Sequence, residues 1–262
     1  MSARETGFLE AAGQRLEVAR FGPREAPGPT LVLLHQGLGC VAMWRDYPAR
    51  LAAASGLETL VYSRLGYGRS APLTGPREVR FMHDEGLEVL PALLEAAGVE
   101  DFILVGHSDG ASIAIIYAGG VGHPGLRGLV LEAPHVFIEE ICIASVAAIA
   151  ERFRTTDMAR GFARYHGDNT EGAFWGWARA WLRPEFRHWN IEQYLAPIRV
   201  PVLVIQGEDD EYGTMAQVDA IAAQVSGAHQ CLKLPDCGHA PHREQEAVVL
   251  DATTAFIRER ML

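Results

Sequence analysis

Three side chains in this 262-residue chain could form a relay for covalent acyl transfer: Ser108, Asp210 and His239. Ser108 is the centre of Gly106-His107-Ser108-Asp109-Gly110. The apolar run Phe102–Val105 before it predicts a strand. The small-then-apolar run Ala111–Ile116 after it predicts a helix. A strand, a Gly-x-Ser-x-Gly turn and a helix form a nucleophile elbow, in which glycines are needed because Cβ atoms would collide. The turn holds the serine at the head of a helix, where free N–H groups and the helix dipole favour developing negative charge.

A serine hydroxyl needs a base to take its proton. His239, in Cys237-Gly238-His239-Ala240-Pro241-His242-Arg243-Glu244, is the candidate, with His242 a nearby rival. The base needs an acid to fix its tautomer and stabilise the imidazolium. Asp210, in Gly207-Glu208-Asp209-Asp210, is favoured; Asp209 is one residue out of phase, and Glu132 is the stronger rival. The oxyanion needs two backbone donors. The N–H of Asp109 is one, and the N–H of Gly37 the other, with Leu38 as the fallback in His35-Gln36-Gly37-Leu38-Gly39.

The elements that must carry these residues alternate. Phe8–Ala12 and Arg15–Phe21 predict a hairpin through Gly13-Gln14. Strands follow at Thr30–His35, Glu58–Tyr62, Phe102–Val105, Leu126–Leu131, Val200–Gln206 and Gln230–Leu234. Helices are expected at Met43–Ala54, at Phe81–Gly98 with a kink at Pro91, at Gly110–Ala118, near Met215–Gln224 and from Glu244. Such alternation implies an α/β fold with a mostly parallel central sheet and helices on both faces. Residues 135–198 break the rhythm with helical patterns only, too long for a loop. They read as an inserted helical cap on a core of residues 1–134 and 199–262.

Composition narrows the class. With 48% hydrophobic residues the chain can fill a core on both faces of a sheet. A net charge of -10 without a basic block argues against a nucleic-acid partner. No window has 18 uninterrupted apolar residues, so no membrane partner is expected. The N-terminus lacks the apolar segment of a signal peptide, and four scattered cysteines fit reduced thiols, so a cytoplasmic location is expected. No metal or other cofactor is implied, since no His-Glu-x-x-His or Cys-x-x-Cys pattern occurs. Gly120–Gly125 fits Gly-x-Gly-x-x-Gly but follows a helix and precedes a strand, so it reads as a turn.

In these motifs the chain resembles the α/β-hydrolase superfamily along its whole length. Besides the elbow it carries Ser63-Arg-Leu-Gly66-Tyr-Gly68-Arg-Ser70, similar to the family's Asp-x-x-Gly-x-Gly-x-Ser turn, and the Gly-His-x-Pro loop at Gly238–Pro241. The order Ser, Asp, His is the order of that family. Three departures stand out: Gln36 in place of a glycine, Ser63 in place of an aspartate, and the acid Asp109 beside the nucleophile.

The resemblance implies a serine hydrolase of a small-molecule ester, lactone or thioester, working through an acyl-enzyme, and the aromatic residues of the cap suggest an apolar or aromatic acyl group. A C–C bond hydrolase of ring-fission products shares triad and cap, but usually carries tryptophan where Ala240 stands. A ligand-binding module with little catalysis is the reading from another class. Haloalkane dehalogenases and epoxide hydrolases use an aspartate nucleophile, which Ser108 argues against. In the cap, His135, Phe137, Trp175 and Trp181 are candidate pocket residues, with Leu38 from the core. Trp175, Trp177 and Trp181 cannot all share one helical face. The cap could also serve a homo-oligomer.

Overall fold

A computed structural model describes residues 3–24 and 26–260. Eight strands form one sheet: β1 Glu5–Ala11, β2 Gln14–Phe21, β3 Thr30–Leu34, β4 Thr59–Tyr62, β5 Phe102–His107, β6 Leu126–Glu132, β7 Val202–Gly207 and β8 His229–Leu234. Their spatial order is β1-β2-β4-β3-β5-β6-β7-β8. The hairpin β1–β2 and the β2–β4 pair are antiparallel; every other pair is parallel.

The central strands are apolar on both faces because both faces are covered. Leu31, Leu33, Ile103 and Val105 join one core with Leu51, Phe256 and Ile257. Val32, Leu34, Phe102 and Leu104 join the other with Ile113 and Ile116. The first core packs α1 (Tyr47–Ser55) and α10 (Glu246–Arg260) on the sheet; the second packs α3 (Leu90–Ala97) and α4 (Asp109–Gly120). α4 is buried from Asp109 to Ala118, which is why its sequence shows no polar face.

Two expected helices differ in detail, and proline explains both. The segment Met43–Ala54 is a 3-10 turn, Val41–Trp44, then a break, then α1. A continuous helix would place Pro48 in its interior, at a cost of about 3 kcal/mol. The chain instead reverses at Arg45 (φ 54) and starts again with Pro48 in the first turn. Around Pro91 the helix runs through α2 (Phe81–Asp84), a π-turn (Glu85–Val89) and α3, so the missing proline N–H falls in the first turn of α3.

Between β6 and β7 the chain leaves the sheet and forms α5 (Glu140–Thr155), α6 (Met158–His166) and α7 (Thr170–Trp181), followed by 3-10 turns. The two ends of this insertion pair with each other through a bridge between Phe137 and Asn190. The Gln217 side chain of α8 (Met215–Gln224) fastens that neck, accepting from Val136 N–H at 2.8 Å and donating to Phe137 C=O at 3.1 Å. At the other side Asn169 donates to the carbonyls of Gly68 and Ser70, at 3.1 and 2.8 Å.

Candidate active site

β3 and β5 are neighbours, but the chain leaves β3 toward β4 on one side while β6 lies on the other. At such a switch point the loops diverge beyond the carboxyl ends of the strands and leave a crevice. The loop after β3 and the elbow after β5 flank it.

Ser108 sits at φ 56 and ψ −120, a left-handed backbone that a serine rarely adopts. The two glycines allow the turn to close. A Cβ at Gly106 would lie 2.5 Å from the Gly110 carbonyl oxygen, and one at Gly110 only 2.0 Å from that of Leu34. Ser108 Oγ is 2.9 Å from His239 Nε2. His239 Nδ1 lies 2.8 and 2.9 Å from the two Asp210 oxygens. A carboxylate only accepts, so Nδ1 carries the proton and Nε2 is free to receive one from Ser108.

Asp210 is held from several sides. Oδ1 accepts the N–H groups of Tyr212 and Gly213 at 2.8 and 3.2 Å, and Oδ2 accepts from Gln206 at 2.8 Å. Burial works to raise this carboxyl, but the His239 hydrogen bond and charge, with the Tyr212 N–H, outweigh it and hold it below its ordinary value.

The rivals from the same motifs pair with each other. Glu132, fully buried at the end of the interior strand β6, accepts from His242 Nδ1 at 2.8 Å and from its backbone N–H at 3.2 Å. His107 donates a ring N–H to the His239 carbonyl at 2.6 Å. Together these contacts fix the loop that carries His239.

The loop after β3 is braced from below. Arg64 Nη2 donates to the Gln36 carbonyl at 2.8 Å, and Arg64 N–H donates to His35 Nε2 at 3.1 Å. Gly39 N–H closes the turn on Gln36 C=O at 3.0 Å, and the N–H groups of Gly37 and Leu38 take no part in it. Gly37 also lets the insertion approach: a Cβ there would sit 2.1 Å from Trp177 Nε1. The missing aspartate at Ser63 is made good from another strand. Ser63 Oγ donates to Glu17 Oε2 at 2.8 Å, and the same carboxylate oxygen accepts Arg69 N–H at 2.9 Å.

Asp109 turns its carboxylate to the buried Arg64, with Oδ2 3.8 Å from Nη2. Burial pushes it above its ordinary value, against the pull of the Arg64 and Arg77 guanidiniums and of the Trp177 indole. Asp109 Oδ2 and Trp177 Nε1 are nevertheless both buried without a hydrogen bond of normal geometry.

A cavity of about 210 Å³ lies over Ser108. Gly37, Leu38, Ser108, Asp109 and His239 line it from the sheet side, and Met158, Phe162, Trp177 and Trp181 from the insertion. Of the expected pocket residues, Leu38, His135 and Trp181 are on its wall. Phe137 and Trp175 are not. Phe137 is held in the neck, and Trp175 points to an outer groove shared with Leu73 and Arg179. Trp177, four residues before Trp181, shares the inner face that Trp175 cannot reach. That i, i+4 pair was the available signal for Trp177.

His135 both faces the cavity and anchors the neck. Its ring lies 5.6 Å from that of His239, and its carbonyl accepts from Ser112 Oγ at 2.6 Å. Burial, then the neighbouring His239, lower its pKa to about 4. The unfolded chain takes a proton at this residue near pH 6.5, the folded one only near pH 4. Between those values the unfolded state binds more protons, so stability falls as pH falls. A His135→Gln protein should lose up to about 1.4 kcal/mol per pH unit of that slope. Urea unfolding at pH 7 and pH 5 reads it; an unchanged slope would show that His135 is not the group concerned.

An open α/β sheet with a buried Ser–His–Asp relay at its switch point defines a hydrolase-type architecture. The chain belongs to the Alpha/beta hydrolase family, whose model matches residues 31–252. It is 26% identical to 2-succinyl-6-hydroxy-2,4-cyclohexadiene-1-carboxylate synthase of Salmonella paratyphi A, over 92% of this chain and 98% of that protein. The fold is similar to the enol-lactonase from Burkholderia xenovorans LB400, with TM-score 0.75, 19% identity, and 96% and 100% of the two chains covered. It is similar also to a thermophilic esterase from Thermogutta terrifontis, with TM-score 0.74, 19% identity, and 98% and 100% covered. Among the described residues no helix is long and apolar enough to cross a membrane.

Proposed function

We propose that the protein is a serine hydrolase of carboxylic esters, lactones or thioesters. The observation that carries this reading is the continuous relay Ser108–His239–Asp210, with contacts of 2.9 and 2.8 Å, facing a cavity walled on one side by Met158, Phe162, Trp177 and Trp181. Ser108 Oγ attacks the substrate carbonyl carbon as its proton passes to His239 Nε2. The oxyanion is held by the N–H groups of Asp109 and Gly37, with Leu38 beside them, each donor worth about 3 kcal/mol in the transition state. The C–O or C–S bond breaks, and His239 gives its proton to the departing oxygen or sulfur. Water, deprotonated by His239, then attacks the acyl-enzyme, and the proton returns to Ser108 as the acid leaves. The insertion acts as a lid whose Trp177 and Trp181 wall the acyl group.

A fluorophosphonate probe should add to the protein once, on the peptide that contains Ser108. Mass spectrometry of the digested adduct reads this; an adduct elsewhere, or none, would sink the assignment. The Salmonella relatives support a second reading, because their name describes a synthase that forms a cyclohexadiene carboxylate. Here Ser108 and His239 would move a proton without an acyl-enzyme, and probe labelling would occur without turnover of any ester, lactone or thioester.

A further inference from the structure

Beside the cavity over Ser108 lies a larger hollow of about 590 Å³. Met43, Met158, Phe162 and Arg243 line both, so the two spaces adjoin across these four side chains. A substrate too long for the cavity over Ser108 would pass these four side chains into the hollow.

The hollow is cationic, in a chain whose net charge is -10. Arg45 reaches it from the reversal before α1, Arg160 and Arg164 from α6, and Arg243 from α9 (Pro241–Glu244). A single carboxylate, Asp157, lines it with them. All four arginines are exposed, and none forms an ion pair among the described residues. Elsewhere on the surface Arg80, Arg127, Arg154, Arg183 and Arg187 each meet a carboxylate. Arg160 and Arg164 stand at i, i+4, a spacing at which like charges destabilise a helix. At the inner end the carboxyl of Asp109 is turned to the buried Arg64 and adds no open cationic site. An anionic group is therefore favoured in the hollow.

We propose that this hollow seats an anionic group, phosphate or carboxylate, at the end of the substrate that lies outside the cavity. The placement rests on the hydrolase reading: the acyl group occupies the cavity over Ser108, and the alcohol or thiol that departs carries the anion out to Arg45, Arg160, Arg164 and Arg243. A dianionic phosphate gains more from the four guanidiniums than a carboxylate does.

Binding tests this without turnover. Calorimetry on the whole protein compares S-propyl-pantetheine 4′-phosphate with S-propyl-pantetheine, and 6-(propylthio)hexanoate with its primary amide. At low salt at least one anionic ligand should bind about tenfold more tightly than its neutral partner, and the gap should shrink near 1 M salt, where the Debye length is about 3 Å. A gap in the phosphate pair alone names a phosphate; a gap in the carboxylate pair alone names a carboxylate. The gap should close in R160Q/R164Q and persist in R24Q, which removes an exposed arginine at the opposite end of the sheet. No gap in either pair, no binding of either anion at millimolar concentration, or a gap unchanged in R160Q/R164Q would overturn the proposal. Turnover of p-nitrophenyl butyrate is read separately. Its absence with the gap intact removes the hydrolase reading and leaves the anion seat; turnover without a gap does the reverse.

Discussion

The Ser108→Ala protein is expected to lose on the order of 10⁶-fold in kcat toward p-nitrophenyl esters, with a melting temperature close to that of the parent. The size follows from the relay. Without Oγ there is no nucleophile for His239 to activate, and the remaining donors can only orient water over the cavity. The fold should survive because alanine fits wherever serine does in this turn, and the Ser108 side chain bonds only His239. Steady-state kinetics with a fluorophosphonate-labelled parent as the zero-activity reference would check it. Residual turnover within about a hundredfold of the parent would mean that the chemistry runs through another group.

The second large effect separates two buried acid–histidine pairs. Asp210→Asn should lower kcat by about 10⁴-fold, because an amide leaves His239 in the wrong tautomer while its geometry persists. Glu132→Gln should do the opposite. Its carboxylate holds His242 and approaches the Tyr47 hydroxyl at 3.4 Å, and neither touches Ser108. Weakening a buried pair of this kind costs up to about 3–5 kcal/mol of stability, so the variant should unfold at lower denaturant while kcat stays within about tenfold. Measuring kcat and urea midpoints for both proteins gives a crossed pattern. Loss of activity in Glu132→Gln alone would exchange the roles of the two acids.

That pair also shows where the sequence stops being readable. Ser108, Asp210 and His239 each follow a strand signal, and the fold sends strand ends to one edge of the sheet. The three were therefore legible as a set, and the structure brings them together. Glu132 and His242 lie far apart in the chain and carry the same chemistry. Only their meeting shows that each satisfies the other. Glu17 is similar: its place in a hairpin strand gives no sign that it supplies the carboxylate that position 63 lacks. In the insertion the helical period excluded one tryptophan of three from a shared face, yet which face looked inward depended on the docking of α7. The apolar period alone runs one helix through residues 43–54; the first-turn placement of Pro48 accounts for its division.

The backbone of Ser108 has a consequence beyond reactivity. A left-handed serine stores on the order of 1–3 kcal/mol that a glycine at the same position would release. The packed glycines and the ladder on either side, with Ser108 N–H bonded to the Glu132 carbonyl at 2.9 Å, hold it there. A lineage selected for durability alone would drift toward the Ser108→Gly substitution. If Ser108 is the nucleophile proposed above, the side chain here trades robustness for turnover, and a stabilised but silent variant is one substitution away.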